Sequence, residues 1–117
     1  MQQIESLKEN YEFRRIYHKG TSHVAPMYVA YSARGRKGRL RLGITVSKKI
    51  GGAVERNRAK RVIRAAFRMC APNIQLGNDF VIVARTRILT VKSTEVALNL
   101  EKQLKTAGLW CENETDK

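Results

Sequence analysis

The chain has 117 residues, 43% of them hydrophobic, which is enough for one domain around one core and too little for two. Its 23 lysines and arginines against 10 acids leave a formal net charge of +13, a self-repulsion that a polyanionic partner relieves. No run approaches the roughly 18 to 20 apolar residues of a membrane span, and residues 1–10 lack the apolar stretch of a secretory signal, so a soluble cytoplasmic protein with no membrane partner is expected.

In chain order, the pattern predicts a first helix over residues 10–19, with Asn10 as N-cap, Phe13, Ile16 and Tyr17 on one face, and Gly20 as the stop. A strand follows over 24–33, with Pro26 pushing its opening towards an edge or bulge. Arg34-Gly35-Arg36-Lys37-Gly38 reads as a basic turn. Beyond it, Leu40, Leu42, Ile44 and Val46 alternate with Arg39, Arg41, Gly43, Thr45 and Ser47. That is the signature of a half-buried strand with a basic second face, and its expected partner is the preceding strand, as a hairpin. A long helix is expected over 53–69, ending before Pro72. Residues 79–85, bounded by Gly77 and Asn78, read as a buried central strand. A last helix begins at Ser93, turns Val96, Ala97, Leu100 and Leu104 inward, and stops at Gly108. The expected organisation is a single α+β domain over residues 1–111, with one mixed β-sheet, a long basic helix and flanking helices, followed by a loose tail over 112–117.

The charge is concentrated. Between Arg34 and Arg68 stand 13 cations and one acid, Glu55, whereas the rest of the chain holds 10 cations and 9 acids. Placed at helical steps, Ala59, Val62, Ile63, Ala66, Phe67, Met69 and Cys70 fall on one arc of about 160°. Asn57, Lys60, Arg61, Arg64 and Arg68 lie opposite, flanked by Arg56 and Arg58. An ordinary solvated helix face mixes signs in i, i+4 pairs; this one is purely cationic, which favours phosphate binding. The preceding loop, Ser47-Lys48-Lys49-Ile50-Gly51-Gly52, offers two lysines and two glycines ahead of a helix N-terminus, but it is not a Walker loop. The basic stretch spans two kinds of element rather than one amphipathic helix, so nucleic acid is favoured over a membrane surface. Cys70 and Cys111 show no metal-site spacing and read as inert thiols, while His18 and His23 read as surface or RNA-contacting residues.

At this point Val46-Ser47-Lys48-Lys49-Ile50-Gly51-Gly52-Ala53-Val54-Glu55-Arg56-Asn57-Arg58-Ala59-Lys60-Arg61-Val62-Ile63-Arg64 resembles the signature of bacterial ribonuclease P proteins. Leu7-Lys8-Glu9-Asn10-Tyr11-Glu12-Phe13 resembles that family's opening segment, and Asp79-Phe80-Val81-Ile82-Val83-Ala84-Arg85 its buried strand, so the likeness spans about residues 6–109. The N-terminus departs from the family, carrying Gln2, Gln3, Glu5 and Ser6 where relatives often carry arginines.

The resemblance implies a helix, an antiparallel hairpin, a basic helix, a strand and a final helix. It also implies a left-handed βαβ crossover through the basic helix, where chirality alone would favour a right-handed one. It further implies the non-catalytic protein subunit of an endoribonuclease that removes the 5′ leader of precursor tRNA. In that role Lys48, Lys49, Arg56, Asn57, Arg58, Lys60, Arg61, Arg64 and Arg68 contact the catalytic RNA. Phe13, Tyr17 and Tyr31 can share one groove, and the resemblance assigns that groove to the leader, although packing of helix to sheet is a competing use of the same rings.

Between Phe13 and Thr94 the only acids are Glu55 and Asp79, too few for a protein-held two-metal centre. The chemistry is therefore expected to lie in the RNA, with Mg²⁺ bound mainly through phosphate. A ribosomal or other structured-RNA binding protein is the alternative reading. A DNA-binding helix-turn-helix fits poorly, because no short helix precedes the basic one, and DNA is not expected as a partner.

Overall fold

The alternation around Leu40 does form a strand, but not the hairpin expected of it. In the computed structural model, which describes residues 3–112, the strands are β1 (Ile4–Ser6), β2 (Thr21–Val24), β3 (Tyr28–Arg34), β4 (Leu40–Thr45) and β5 (Asn78–Ala84). The helices are α1 (Asn10–Lys19), α2 (Ala53–Cys70) and α3 (Ser93–Ala107), with 3-10 turns at Lys48–Ile50, Ala71–Asn73 and Thr86–Thr90. Of the tail expected to be loose, residues 113–117 lie outside the described residues.

The sheet order is β1-β4-β5-β3-β2, so β5 separates the two strands expected to pair. It runs parallel to β4, from Leu40 opposite Asn78 to Thr45 opposite Val83, and antiparallel to β3, from Tyr28 opposite Ala84 to Arg34 opposite Asn78. The physical reason lies in β5 itself. Phe80 and Ile82 point to one face and Val81 and Val83 to the other, so only a central position between two strands, covered on both sides, buries Phe80, Val81 and Ile82 fully and Val83 in part. The hairpin that does form joins β2 to β3 through residues 25–27, and exposed Pro26 sits in its turn, cutting the expected strand in two. Short β1 adds a parallel edge beside β4. Because β4 and β5 are parallel neighbours, α2 is the helix of a βαβ crossover.

Local chemistry sets the helix ends, each within about a residue of expectation. The α2 start is held by Glu55, whose Oε1 accepts from the Gly52 N–H at 3.0 Å, half of a capping box. At the other end of α3, Gly108 takes the left-handed conformation at φ 77°, closing the helix. Asn10 and Ser93 are the first helical residues rather than caps; Glu9 and Lys92 stand in the cap positions.

α2 and α3 cover one face of the sheet. Ile63, Phe67, Val96, Leu100 and Leu104 are fully buried there against Tyr28, Leu40, Phe80 and Ile82, and the Phe67 and Phe80 rings meet edge to face at 5.4 Å. Of the two residues expected inward at the end of α2, Cys70 is buried as expected, whereas Met69 is 50% exposed. α1 covers the other face through a smaller cluster of Leu7, Ile16 and Val81, with Phe13, Tyr31, Ala33 and Val83 packed around it.

Candidate nucleic-acid interface

Burial of Ala59, Ile63, Ala66 and Phe67 turns the opposite side of α2 to solvent, so Asn57, Arg58, Lys60, Arg61, Arg64 and Arg68 are all exposed. Among the described residues none of these cations has an acidic partner. The one nearby acid, Glu55, is engaged with the helix N-terminus. Arg56 differs: it is half-buried, and its Nε lies 3.4 Å from the Gly52 carbonyl. Lys48 and Lys49 are exposed in the 3-10 turn ahead of the helix, where the Ser47 hydroxyl accepts from the Lys49 N–H. The stripe has two flanks. Lys60, Arg64 and Arg68, one turn apart, line the side towards β1 and β4, whereas Arg58 and Arg61 face the segment leading into α3.

Two of the three aromatics meet ring to ring. Tyr17 and Tyr31 meet edge to face, with ring centres 5.0 Å apart, and the Tyr17 hydroxyl lies 2.9 Å from Thr45 Oγ1. Tyr17 keeps 38% of its surface open, which leaves ring area for a ligand. Tyr28, three residues before Tyr31 and so on the opposite face of β3, is fully buried towards α3 and donates to Gln103. Phe13 lies over Gly43 on β4, so closely that a Cβ there would sit 2.5 Å from the ring. Its half-buried ring therefore serves the packing of α1 on the sheet as well as the surface, and among the described residues no ring contact joins it to the tyrosine pair.

The second face of β4, expected to be basic, is instead neutralised beneath α1. Arg41 grips Asp79 with two hydrogen bonds, Nε to Oδ1 at 2.9 Å and Nη2 to Oδ2 at 2.7 Å, and donates to Glu12 Oε2 at 2.7 Å. Arg15 donates to the same Asp79 carboxylate and to the Arg34 carbonyl. Asp79 is wholly buried, and Gly35 packs so tightly on its carboxylate that no side chain fits there. The bond to Asp79, against the cost of burial, holds the Arg41 guanidinium still further above its ordinary range. Arg39 is paired too, with Glu5 at 3.3 Å. This network was missed in the sequence, though one signal was present: Asp79 is a lone acid heading the most apolar run of a cationic chain, and such an acid needs a buried cation.

His23 also differs from the expected surface role. Its ring is partly buried with Nε2 2.9 Å from Ser32 Oγ, and burial lowers its pKa. His18 is exposed. Cys70 is buried, and burial pushes its thiol up to about 11, while Cys111 is exposed. Among the described residues no three His, Cys, Asp or Glu side chains gather to hold a metal ion, and the Glu12 and Asp79 carboxylates are already occupied by guanidinium groups. The described residues do not fit a protein-held catalytic metal.

An acid-free cationic helix face, set beside a half-open aromatic surface on a mixed sheet, defines a basic α+β protein built to hold RNA. A sequence model of the family described as Ribonuclease P matches residues 1–108. The chain is 38% identical over 104 residues to the ribonuclease P protein component of an Exiguobacterium species, covering 89% of this chain and 90% of that one. A solved Staphylococcus aureus RNase P protein, a mutant described as defective in mRNA degradation activity, superposes with a TM-score of 0.76 at 37% identity, covering 89% of this chain and 88% of that one. The RNase P protein from Thermotoga maritima gives 0.76 at 30% identity, covering 87% and 96%. The chain belongs to the ribonuclease P protein family. It is an RNA-binding subunit of this tRNA-processing ribonucleoprotein endoribonuclease, and its partner is the ribonuclease P RNA. No helix among the described residues is long and apolar enough to cross a membrane.

Proposed function

We propose that the outer face of α2, with Lys48 and Lys49, grips the catalytic RNA, while Tyr17 and Tyr31, with Phe13 beside them, hold the single-stranded 5′ leader of precursor tRNA. In this reading the protein performs no bond cleavage. It lends affinity and position in the cytoplasm, to RNA and not DNA, and Mg²⁺ is bound mainly through RNA phosphates. The observation that carries the reading is the row of exposed α2 cations that have no acidic partner among the described residues, because unpaired cations release condensed counterions when they meet phosphate.

The test has two arms. Changing Lys48, Lys49, Arg58 and Arg61 to alanine together lowers the salt slope of catalytic-RNA binding by about 3 to 4 contacts' worth. Changing Tyr17 and Tyr31 to leucine keeps apolar bulk and leaves that slope alone, but weakens holoenzyme affinity for leader-bearing precursor relative to mature tRNA by about 1–3 kcal/mol per lost stack. An unchanged slope in the first arm, or equal loss on both tRNAs in the second, refutes the corresponding assignment.

A further inference from the structure

Arg41 stands in the most cationic stretch of the chain, yet it is only 8% exposed and meets carboxylates rather than solvent. Its cluster ties four segments together: Glu12 and Arg15 from α1, the Arg34 carbonyl at the end of β3, Arg41 from β4 and Asp79 from β5. Arg41 and Asp79 stand opposite each other in the parallel β4–β5 register. Two guanidinium groups face two carboxylates, so the cluster is neutral. The same face of β4 continues with Gly43 and Thr45. α1 meets these three positions in its own chain order, with Glu12 at Arg41, Phe13 over Gly43 and the Tyr17 hydroxyl at Thr45.

The three contacts differ in what they can specify. Apolar attraction of a ring to a strand has no direction, and an exposed hydroxyl pair exchanges readily for water. The two-pronged grip of Arg41 on Asp79 is different, because it fixes the guanidinium plane and leaves Nη1 aimed at Glu12. Arg15, three residues further along α1, reaches Oδ2 of the same Asp79, so the helix is held at two points. A buried ion cluster adds little net stability over apolar packing of the same volume, whereas it admits one geometry. We infer that Glu12 and Arg15 are positioning residues for leader binding. With Arg41 and Asp79 they set the register of α1 on the sheet, and through it the edge-to-face placement of Tyr17 against Tyr31. They act through Tyr17 rather than by touching RNA themselves. The inference rests on the reading that the tyrosine pair holds the leader.

The experiment is a double-mutant cycle in the reconstituted holoenzyme, read as the ratio of affinities for leader-bearing precursor and mature tRNA. Glu12→Ala lowers that ratio by about fivefold or more, the size of one lost stack. Glu12→Gln, whose amide oxygen still accepts from Arg41, restores most of it. With Tyr17 and Tyr31 already changed to leucine, Glu12→Ala alters the ratio by less than about twofold, because no stack is left to position. Arg15→Leu leaves Asp79 held by Arg41, follows the same pattern in both backgrounds, and covers the case in which Glu12→Ala does not fold. The salt slope of catalytic-RNA binding stays at the parent value in the Glu12 and Arg15 variants. An unchanged ratio in both single variants, an equal loss in both backgrounds, or a Glu12→Gln protein no better than Glu12→Ala overturns the inference. Chemical shifts of the Tyr17 and Tyr31 rings in the free protein separate the two possible failures. If Glu12→Ala moves both rings while the double leucine change leaves the tRNA ratio intact, the leader reading falls and the register role stands; if the rings do not move, the register role falls.

Discussion

The two faces of the sheet are closed in opposite ways. Towards α2 and α3 the contact is apolar and continuous, with Phe67 against Phe80 at its centre. Towards α1 a ten-residue helix covers a surface that buries two carboxylates and Arg41, with Arg15 at the margin, and leaves Tyr17 half open. A hydrophobic face stabilises without direction, whereas a buried ion network adds little net stability but is costly to break and demands one geometry. Glu12 and Arg15 lie on the same side of α1, three residues apart, and both engage partners on β4 and β5. Sliding α1 by a turn would break both links. The apolar face therefore carries the fold, and the charged face sets where Phe13 and Tyr17 stand.

The sharpest way to break this comparison is to damage each face once. Phe67→Ala and Asp79→Ala should each cost about 3–5 kcal/mol, the first by a core cavity and the second by stranding Arg41. Urea denaturation checks the magnitudes, and hydrogen exchange separates the mechanisms. Phe67→Ala should speed exchange throughout β4, β5 and α2, whereas Asp79→Ala should release α1 first. Equal acceleration everywhere in both variants would mean that the charged face has no separate role.

A smaller effect comes from pH. The Cys70 thiol is raised from 9.0 to about 11 by burial, and burial also raises Tyr28 above its ordinary 10.0. A folded-state pKa above the unfolded one means full stability below about pH 9 and progressive loss as pH climbs through about 11. Both groups belong to the apolar face. Cys70→Ala should flatten the early part of that decline in thermal melts between pH 8 and 11, and a decline identical to the parent's would remove Cys70 as its cause. The smallest change is Tyr17→Phe. It removes only the hydroxyl contact to Thr45, so stability should fall by about 0.5–1.5 kcal/mol while leader preference persists, because the ring remains. Loss of that preference would show that the hydroxyl, not the ring, is what the leader needs.

What could be seen in advance follows the range of the interaction. The α2 stripe was legible because helical periodicity is local: Ile63 and Phe67 inward oblige Lys60 and Arg64 outward. The tyrosines on opposite faces of β3 followed from the two-residue period in the same way. Strand order was not legible, because β4 pairs with a strand 38 residues further on, and nothing in its alternation says whether its neighbour is β3 or β5. Nor does alternation reveal whether the polar side of a strand meets water or another helix, which is why Arg41 read as surface charge. β1, at three residues, is too short to display any period.

The central strand of this sheet is the last of the five to be made. During translation at about 5–20 residues per second, β3 and β4 wait for several seconds with the edges that will later flank β5 unfilled. The intervening 34–41 segment, rich in arginine, keeps such nascent edges from joining one another or another chain, since like charges repel across an unfinished sheet. Only when Asp79 arrives does Arg41 find its counter-ion, so the pairing that completes the sheet also removes a charge that guarded it. Completion of this sheet thus waits on the C-terminal half of the chain, which alone supplies its central strand.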